Sequence, residues 1–93
     1  GFDGLLMSDD VSMKALSGDF ATKAAAILAA GCDLVLHCNG VMEEMRAVAG
    51  AAGRLAGRSL ERAQRALAAR RKPDATAEAE ARVEFVGYFE AAA

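Results

Sequence analysis

The 93-residue sequence predicts an α/β fold in which parallel strands are covered by helices. Three observations carry this: two short continuous apolar runs, an amphipathic stretch between them, and a change to helical patterning after the second run. Leu5-Leu6-Met7, bounded by Gly4 and by Ser8-Asp9-Asp10, reads as a strand buried on both faces. Leu34-Val35-Leu36 repeats the pattern between Gly31 and Asn39-Gly40, with His37 read as still inside that strand. Between the runs, Asp19 is placed to cap a helix in which Phe20, Ala24, Ile27 and Leu28 form one stripe ending at Gly31. A crossover of this length joins parallel strands and is right-handed in nearly all proteins.

Beyond Gly40, Met42, Met45, Ala49 and Ala52 predict one face of a further helix, weakened by Gly50, Gly53 and Gly57. Ser59 is placed to cap another, with Leu60, Ala63 and Leu67 as its stripe and Arg65, Arg70 and Arg71 directed to water or to the helix C-terminus. Pro73 interrupts the pattern, and Asp74-Ala75-Thr76 can start a last helix bearing Val83, Phe85, Val86 and Phe89. The two adjacent apolar edges of that helix point to docking against something larger.

Hydrophobic residues make up 54% of the chain, but much of that share is Ala, which favours helix and buries little area. The expected core is therefore Phe2, Leu5, Leu6, Met7, Phe20, Ile27, Leu28, Leu34, Val35 and Leu36, all within the first forty residues. A formal charge of −2 with interspersed signs gives no electrostatic case for nucleic acid. No apolar run approaches the roughly 20 residues of a membrane span. Cys32 and Cys38 match neither a zinc nor a Cys-x-x-C redox spacing, and two buried, reduced thiols suit a cytoplasmic setting. The opening Gly-Phe-Asp-Gly reads as the lead into a strand, so a fragment of a larger protein is expected.

Asp9 and Asp10 stand where a buried parallel strand gives way to a loop, the end onto which ligand sites of α/β folds open. Spacing alone also allows plain turn chemistry, with the carboxylates bonded to nearby amides, or a divalent cation, for which no matching oxygen cluster is evident. His37 is read as a satisfied structural imidazole and Cys38 as no nucleophile. Asn39 can contact a ligand or simply shape its turn.

The run from Gly1 to Leu16, with Gly-Phe-Asp-Gly and Ser-Asp-Asp-Val-Ser-Met-Lys-Ala-Leu, and the later Ala-Gly-Cys-Asp-Leu-Val-Leu-His-Cys-Asn resemble the bacterial family 3 β-N-acetylhexosaminidases. The resemblance covers residues 1–40 well and the helical remainder loosely. It implies the C-terminal part of an incomplete (β/α)₈ barrel, residues 1–40 being its last two strands with the intervening helix and 41–93 the C-terminal helices. It further implies that Asp9 is the catalytic nucleophile, Asp10 the family's second acid, and that Met13 lies beside the sugar. The implied substrates are N-acetylglucosamine-containing muropeptides or oligosaccharides from cytoplasmic peptidoglycan recycling, with no metal or organic cofactor. The family's Lys-His-Phe-Pro-Gly-His acid/base loop is absent here, so the chain alone is expected to be inactive. Two alternatives stay open: a family 3 β-glucosidase-like hydrolase, against which Asp10 replaces the usual aromatic, and a non-catalytic truncated helical module that uses exposed strand edges and the Phe85/Phe89 edge to pair with itself or a partner.

Overall fold

The computed structural model describes residues 1–92, which form β1 (Met7–Asp10), α1 (Phe20–Ala29), β2 (Leu34–Leu36), α2 (Met42–Ala52), α3 (Gly57–Ala68) and α4 (Glu78–Ala91). β1 and β2 pair in parallel, as the crossover requires. Asp19 caps α1 as expected, its Oδ1 accepting from the Thr22 amide at 2.8 Å. At the other end Gly31 takes φ +110°, its N–H bonding the Leu28 carbonyl while the Cys32 N–H reaches back to Ile27. This is a Schellman stop, and it turns the chain directly into β2.

The first strand lies further along than its apolar run. Only Met7 of Leu5-Leu6-Met7 is in it, and the acidic Ser8-Asp9-Asp10 completes it. The reason is pairing: the Leu6 carbonyl accepts from the Asp33 and Leu34 amides, so the run leads into a ladder that continues to Asp10 opposite Leu36. Between the paired positions Met7↔Leu34 and Asp10↔Leu36, β1 takes one more residue step than β2, a β-bulge at Ser8 and Asp9.

One face of this two-stranded sheet is covered by α1 and α2. There Val11, Ala24 and Val48 form the buried cluster, with Phe20, Ile27, Val35 and Ala51 packed against it. The expected core is corrected accordingly: Phe2, Leu6 and Met7 are exposed, whereas Val11 and Val48 were not foreseen. Among the described residues the other face and both edges of this two-stranded sheet have no covering layer, so apolar residues there stay wet. In α2 the inward residue is Val48, while Met42 and Met45 face outward. α3 begins at Gly57 instead of Ser59, because Ser59 is not a cap: its hydroxyl donates to Asp33 Oδ1 at 2.6 Å. Cys32 is half-buried and Cys38 exposed, so the expectation of two buried thiols is wrong for Cys38.

The N-terminal ends of the strands are tied to α3 by charge. Asp3 accepts from Arg58 Nη2 at 2.7 and 2.8 Å and from Arg62 Nη2 at 3.1 Å, and Arg65 donates to the Asp3 carbonyl at 2.7 Å. Arg65 thus sits in the last turn of α3 with its side chain still exposed, as expected, while its tip also reaches Asp3. These partners hold the Asp3 carboxyl at about 2, below its ordinary 3.8. The Leu6 amide, then the Ser59 hydroxyl and Arg62, hold Asp33 low as well. A carboxyl lowered on folding favours the folded state only while ionised, so its contribution is complete at neutral pH and fades as pH falls from about 5 toward 2. Far-UV ellipticity is expected to be flat from neutral pH to about 5 and to fall in that acid window. Half a molar salt should weaken the more exposed Asp3 contacts first. A melting midpoint unmoved between pH 7 and 3 would contradict this linkage.

Candidate active site

The bulge and the parallel pairing together put Ser8, Asp9, Asp10 and the Cys38-Asn39-Gly40 turn at one edge, the C-terminal ends of both strands. Ser8 makes the bulge possible. Where β1 lacks a carbonyl in register, the Ser8 hydroxyl accepts the Leu36 N–H at 3.0 Å and donates to the Asp9 carbonyl at 2.8 Å. A serine directly before the aspartates was the one available signal for this, and its role as a ladder substitute was not read from the sequence.

Side chains then alternate along β1: Ser8 and Asp10 are half-buried, Met7 and Asp9 exposed. Asp9 Oδ1 accepts the Asp10 N–H at 2.7 Å, and Oδ2 has no hydrogen-bond partner among the described residues. One oxygen is therefore held by its own turn while the other is open. Asp9 borders a hollow of about 290 Å³ lined also by Ser8, Asp10, Met13, Ala15, Leu16 and Ile27. The structure thus brings Asp9 and Met13 together.

Asp10 is spent on structure. Its Oδ1 accepts from the Ser12 amide at 2.9 Å and the Cys38 amide at 3.1 Å, and Oδ2 from the Ser12 hydroxyl at 2.5 Å. The Ser12 hydroxyl and amide hold its carboxyl below the usual range, with the Cys38 amide adding to them. Asp10 so clamps the loop after β2 to the end of β1. Loss of hydration, and then the charges of Asp10 and Asp9, push the Cys38 thiol up, which leaves little thiolate for nucleophilic attack.

Asn39 does not line the hollow. Its Nδ2 donates to Glu44 Oε2 at 2.5 Å and its Oδ1 accepts from the Val41 amide, which shapes the turn into α2. His37 lies just beyond β2 instead of inside it, its side chain 7% exposed. It is a peg between helices: Nε2 meets Glu44 Oε2 at 2.9 Å and the ring stands edge-on to Phe20 at 5.7 Å. His37 first, then Asn39, hold the Glu44 carboxyl low. Glu44 was not singled out in the sequence, although an acid in the first turn of a helix is a recognisable partner for the preceding loop.

Two other hollows, of about 310 and 600 Å³, adjoin Asp33 and Asp3. Their carboxylates are bound by α3, and two further hollows of about 430 Å³ lie along α4 beside Glu78, Glu80 and Glu84. Among the described residues no group of three or more His, Cys, Asp or Glu side chains could hold a metal ion, and no helix is long and apolar enough to cross a membrane.

Residues 1–70 match the glycosyl hydrolase family 3 N-terminal domain. The chain is similar to the β-hexosaminidase of Methylococcus capsulatus, 52% identical over 40 residues, which are 41% of this chain and 12% of that protein. It is also similar to that of Hydrogenovibrio crunogenus, 58% over 40 residues (41% and 11%), and that of Bordetella avium, 51% over 41 residues (42% and 12%). The matched segment is thus about an eighth of each relative's length. No solved structure matches the chain.

Proposed function

Because the chain belongs to the family of the glycosyl hydrolase family 3 N-terminal domain, we propose that it supplies the last two strand units of a (β/α)₈ barrel in a retaining β-N-acetylhexosaminidase, with Asp9 as nucleophile. The observation that carries this is the Asp9 carboxylate, presented by a bulge at the C-terminal strand edge, lining a hollow and keeping one oxygen without a hydrogen-bond partner among the described residues. That oxygen attacks the anomeric carbon of a terminal N-acetylglucosamine as the glycosidic bond breaks. The leaving oxygen takes a proton from an acid on another loop, and water then releases the sugar from the Asp9 ester. Met13, lining the same hollow, packs beside the sugar. Asn39 supports the turn and reaches substrate only by giving up Glu44.

The substrates on this reading are N-acetylglucosamine-bearing muropeptides or oligosaccharides from peptidoglycan in the cytoplasm, a setting that the two free thiols suit. The open edges of β1 and β2 are where further strands would pair. Against a β-glucosidase-like specificity stands Asp10, which fills the place of that branch's aromatic and is bound to Ser12 and Cys38.

A barrel of this kind takes about 250 residues, whereas this sequence has 93. The purified chain is therefore expected to release no chromophore from an N-acetylglucosaminide. A chimera of the Methylococcus capsulatus β-hexosaminidase, with its matching segment replaced by residues 1–40, is expected to hydrolyse it in preference to glucosides and xylosides. A folded but inactive chimera would overturn the proposal, as would turnover by the chain alone.

A further inference from the structure

We propose that Glu44 is a positioning residue for Asp9: its Oε2 accepts from His37 and Asn39, on either side of Cys38, and so fixes the Cys38 amide on Asp10 and, through Asp10, the Asp9 carboxylate. This role rests on Asp9 being the nucleophile. Every contact in the relay lies within residues 9–44.

The parallel ladder closes with the Val11 N–H on the Leu36 carbonyl at 2.8 Å. Past that rung, among the described residues, the 37–41 loop is hydrogen-bonded to the end of β1 only through the Cys38 N–H, which reaches Asp10 Oδ1 at 3.1 Å. Cys38 is exposed, so that bond competes with water and holds only while the loop is fixed by other means. Glu44, in the first turn of α2, fixes it. His37 Nε2 at 2.9 Å and Asn39 Nδ2 at 2.5 Å converge on one of its oxygens, so the residues before and after Cys38 hang from a single atom of a helix packed on β2.

Charge and burial make this grip firm. His37 first, then Asn39, hold the Glu44 carboxyl below its usual range, so at neutral pH the acceptor is an anion and His37 Nε2 carries the hydrogen. Hydrogen bonds to an ionised acceptor are roughly twice as strong as neutral ones. The His37 side chain is buried and its Nδ1 has no partner among the described residues, so Glu44 is the one polar group that orients the ring against Phe20. Without the carboxylate both ring nitrogens are unpaired in a buried site, and the ring leaves its seat with Cys38 following. Onward, Asp10 Oδ1 is shared by the Ser12 and Cys38 amides, and the Asp10 N–H holds Asp9 Oδ1 at 2.7 Å. Freeing Cys38 turns Asp10 and displaces Asp9, and a displacement of about 1 Å at a reacting group can cost about 10²-fold in rate.

Amide NMR of the 93-residue chain tests the relay without turnover. Glu44→Ala is expected to shift the Cys38, Asp10 and Asp9 amide resonances and to quicken Cys38 exchange at least about tenfold, while α1 amides around Ala24 stay protected and show that the fold is intact. Glu44→Gln, which keeps an oxygen for both donors, should stay within about threefold of the parent, and Glu44→Asp, one methylene short of them, gives the same test if the alanine variant does not fold. The catalytic arm uses the Methylococcus capsulatus chimera extended to carry residues 1–52, through α2. There Glu44→Ala is expected to lower kcat about tenfold with KM within about threefold, and Glu44→Gln to restore it. In an Asp9→Gly enzyme supplied with azide no carboxylate remains to be placed, so the added Glu44→Ala should cost less than about threefold. Equal costs in both backgrounds, or unmoved Cys38 and Asp10 amides in the chain, overturn the proposal. An Asp9→Asn enzyme that keeps its kcat removes the nucleophile and this role with it, whereas an inactive Asp9→Asn beside a Glu44→Ala of full kcat removes the role of Glu44 alone.

Discussion

Asp9→Asn in the active chimera lowers kcat by on the order of 10⁴-fold or more, with KM little changed. The amide is nearly the same shape as the carboxylate, so the bulge and the bond from the Asp10 N–H survive, but it cannot form the glycosyl ester. Only transition-state stabilisation is lost. Asp10→Asn is the control. It keeps an oxygen for the Cys38 or Ser12 amide and displaces Asp9 slightly at most, so its cost should stay below about 10²-fold. Asp9→Gly with added azide sharpens the test: attack from the vacated face gives a glycosyl azide of inverted configuration, which a merely structural Asp9 would not. Equal losses for Asp9→Asn and Asp10→Asn, without azide rescue, would reassign the nucleophile.

The parts of this molecule legible in its sequence are those governed by neighbours along the chain. The Asp19 cap, the Gly31 stop and the Leu34–Leu36 strand stand where local pattern puts them, because a cap, a left-handed residue and a β-rich run each act within a turn or two. The apolar run at Leu5–Met7 misled by two residues because the extent of β1 depends on its partner, and Ser8 and the aspartates complete the ladder through a bulge that no periodicity signals. Asp9 was found as a candidate from its place after a buried strand. The resemblance gave Asp9 and Asp10 different expected roles, whereas the structural use of Asp10 was hidden because it depends on the amide of Cys38, 28 residues away. Val11 and Val48 were missed in the core for the same reason: burial here is set by which sheet face α1 and α2 cover, not by local hydrophobicity. Arg58 and Arg62 of α3 were not singled out in the sequence, because their carboxylate partners Asp3 and Asp33 lie 29 or more residues earlier.

Asp33→Ala is expected to be the most destabilising single substitution. Its side chain, 3% exposed, is where three elements meet: Oδ2 accepts the Leu6 amide at 2.8 Å before β1, and Oδ1 accepts the Ser59 hydroxyl at 2.6 Å and Arg62 Nη1 at 3.1 Å from α3. Removal leaves a half-buried amide and a guanidinium short of an acceptor, and the Arg62 Nε is already buried without one. The yardstick is Val11→Ala, which empties part of the fully buried core site at about 2 kcal/mol, or roughly 10 °C in melting midpoint for a domain of this size. Asp33→Ala should exceed that shift and Asp33→Asn should fall between, since one amide oxygen cannot serve both Leu6 and α3. The two lesions also differ in place. Amide exchange after Asp33→Ala should quicken first in α3 while α1 and α2, held by Val11, Ala24 and Val48, keep relative protection, whereas Val11→Ala should loosen α1 and α2 together. A midpoint for Asp33→Ala within a degree or two of the parent would mean that α3 is held by Asp3 and its arginines alone, and that the N-terminal strand ends are less of a scaffold for Asp9 than the geometry requires.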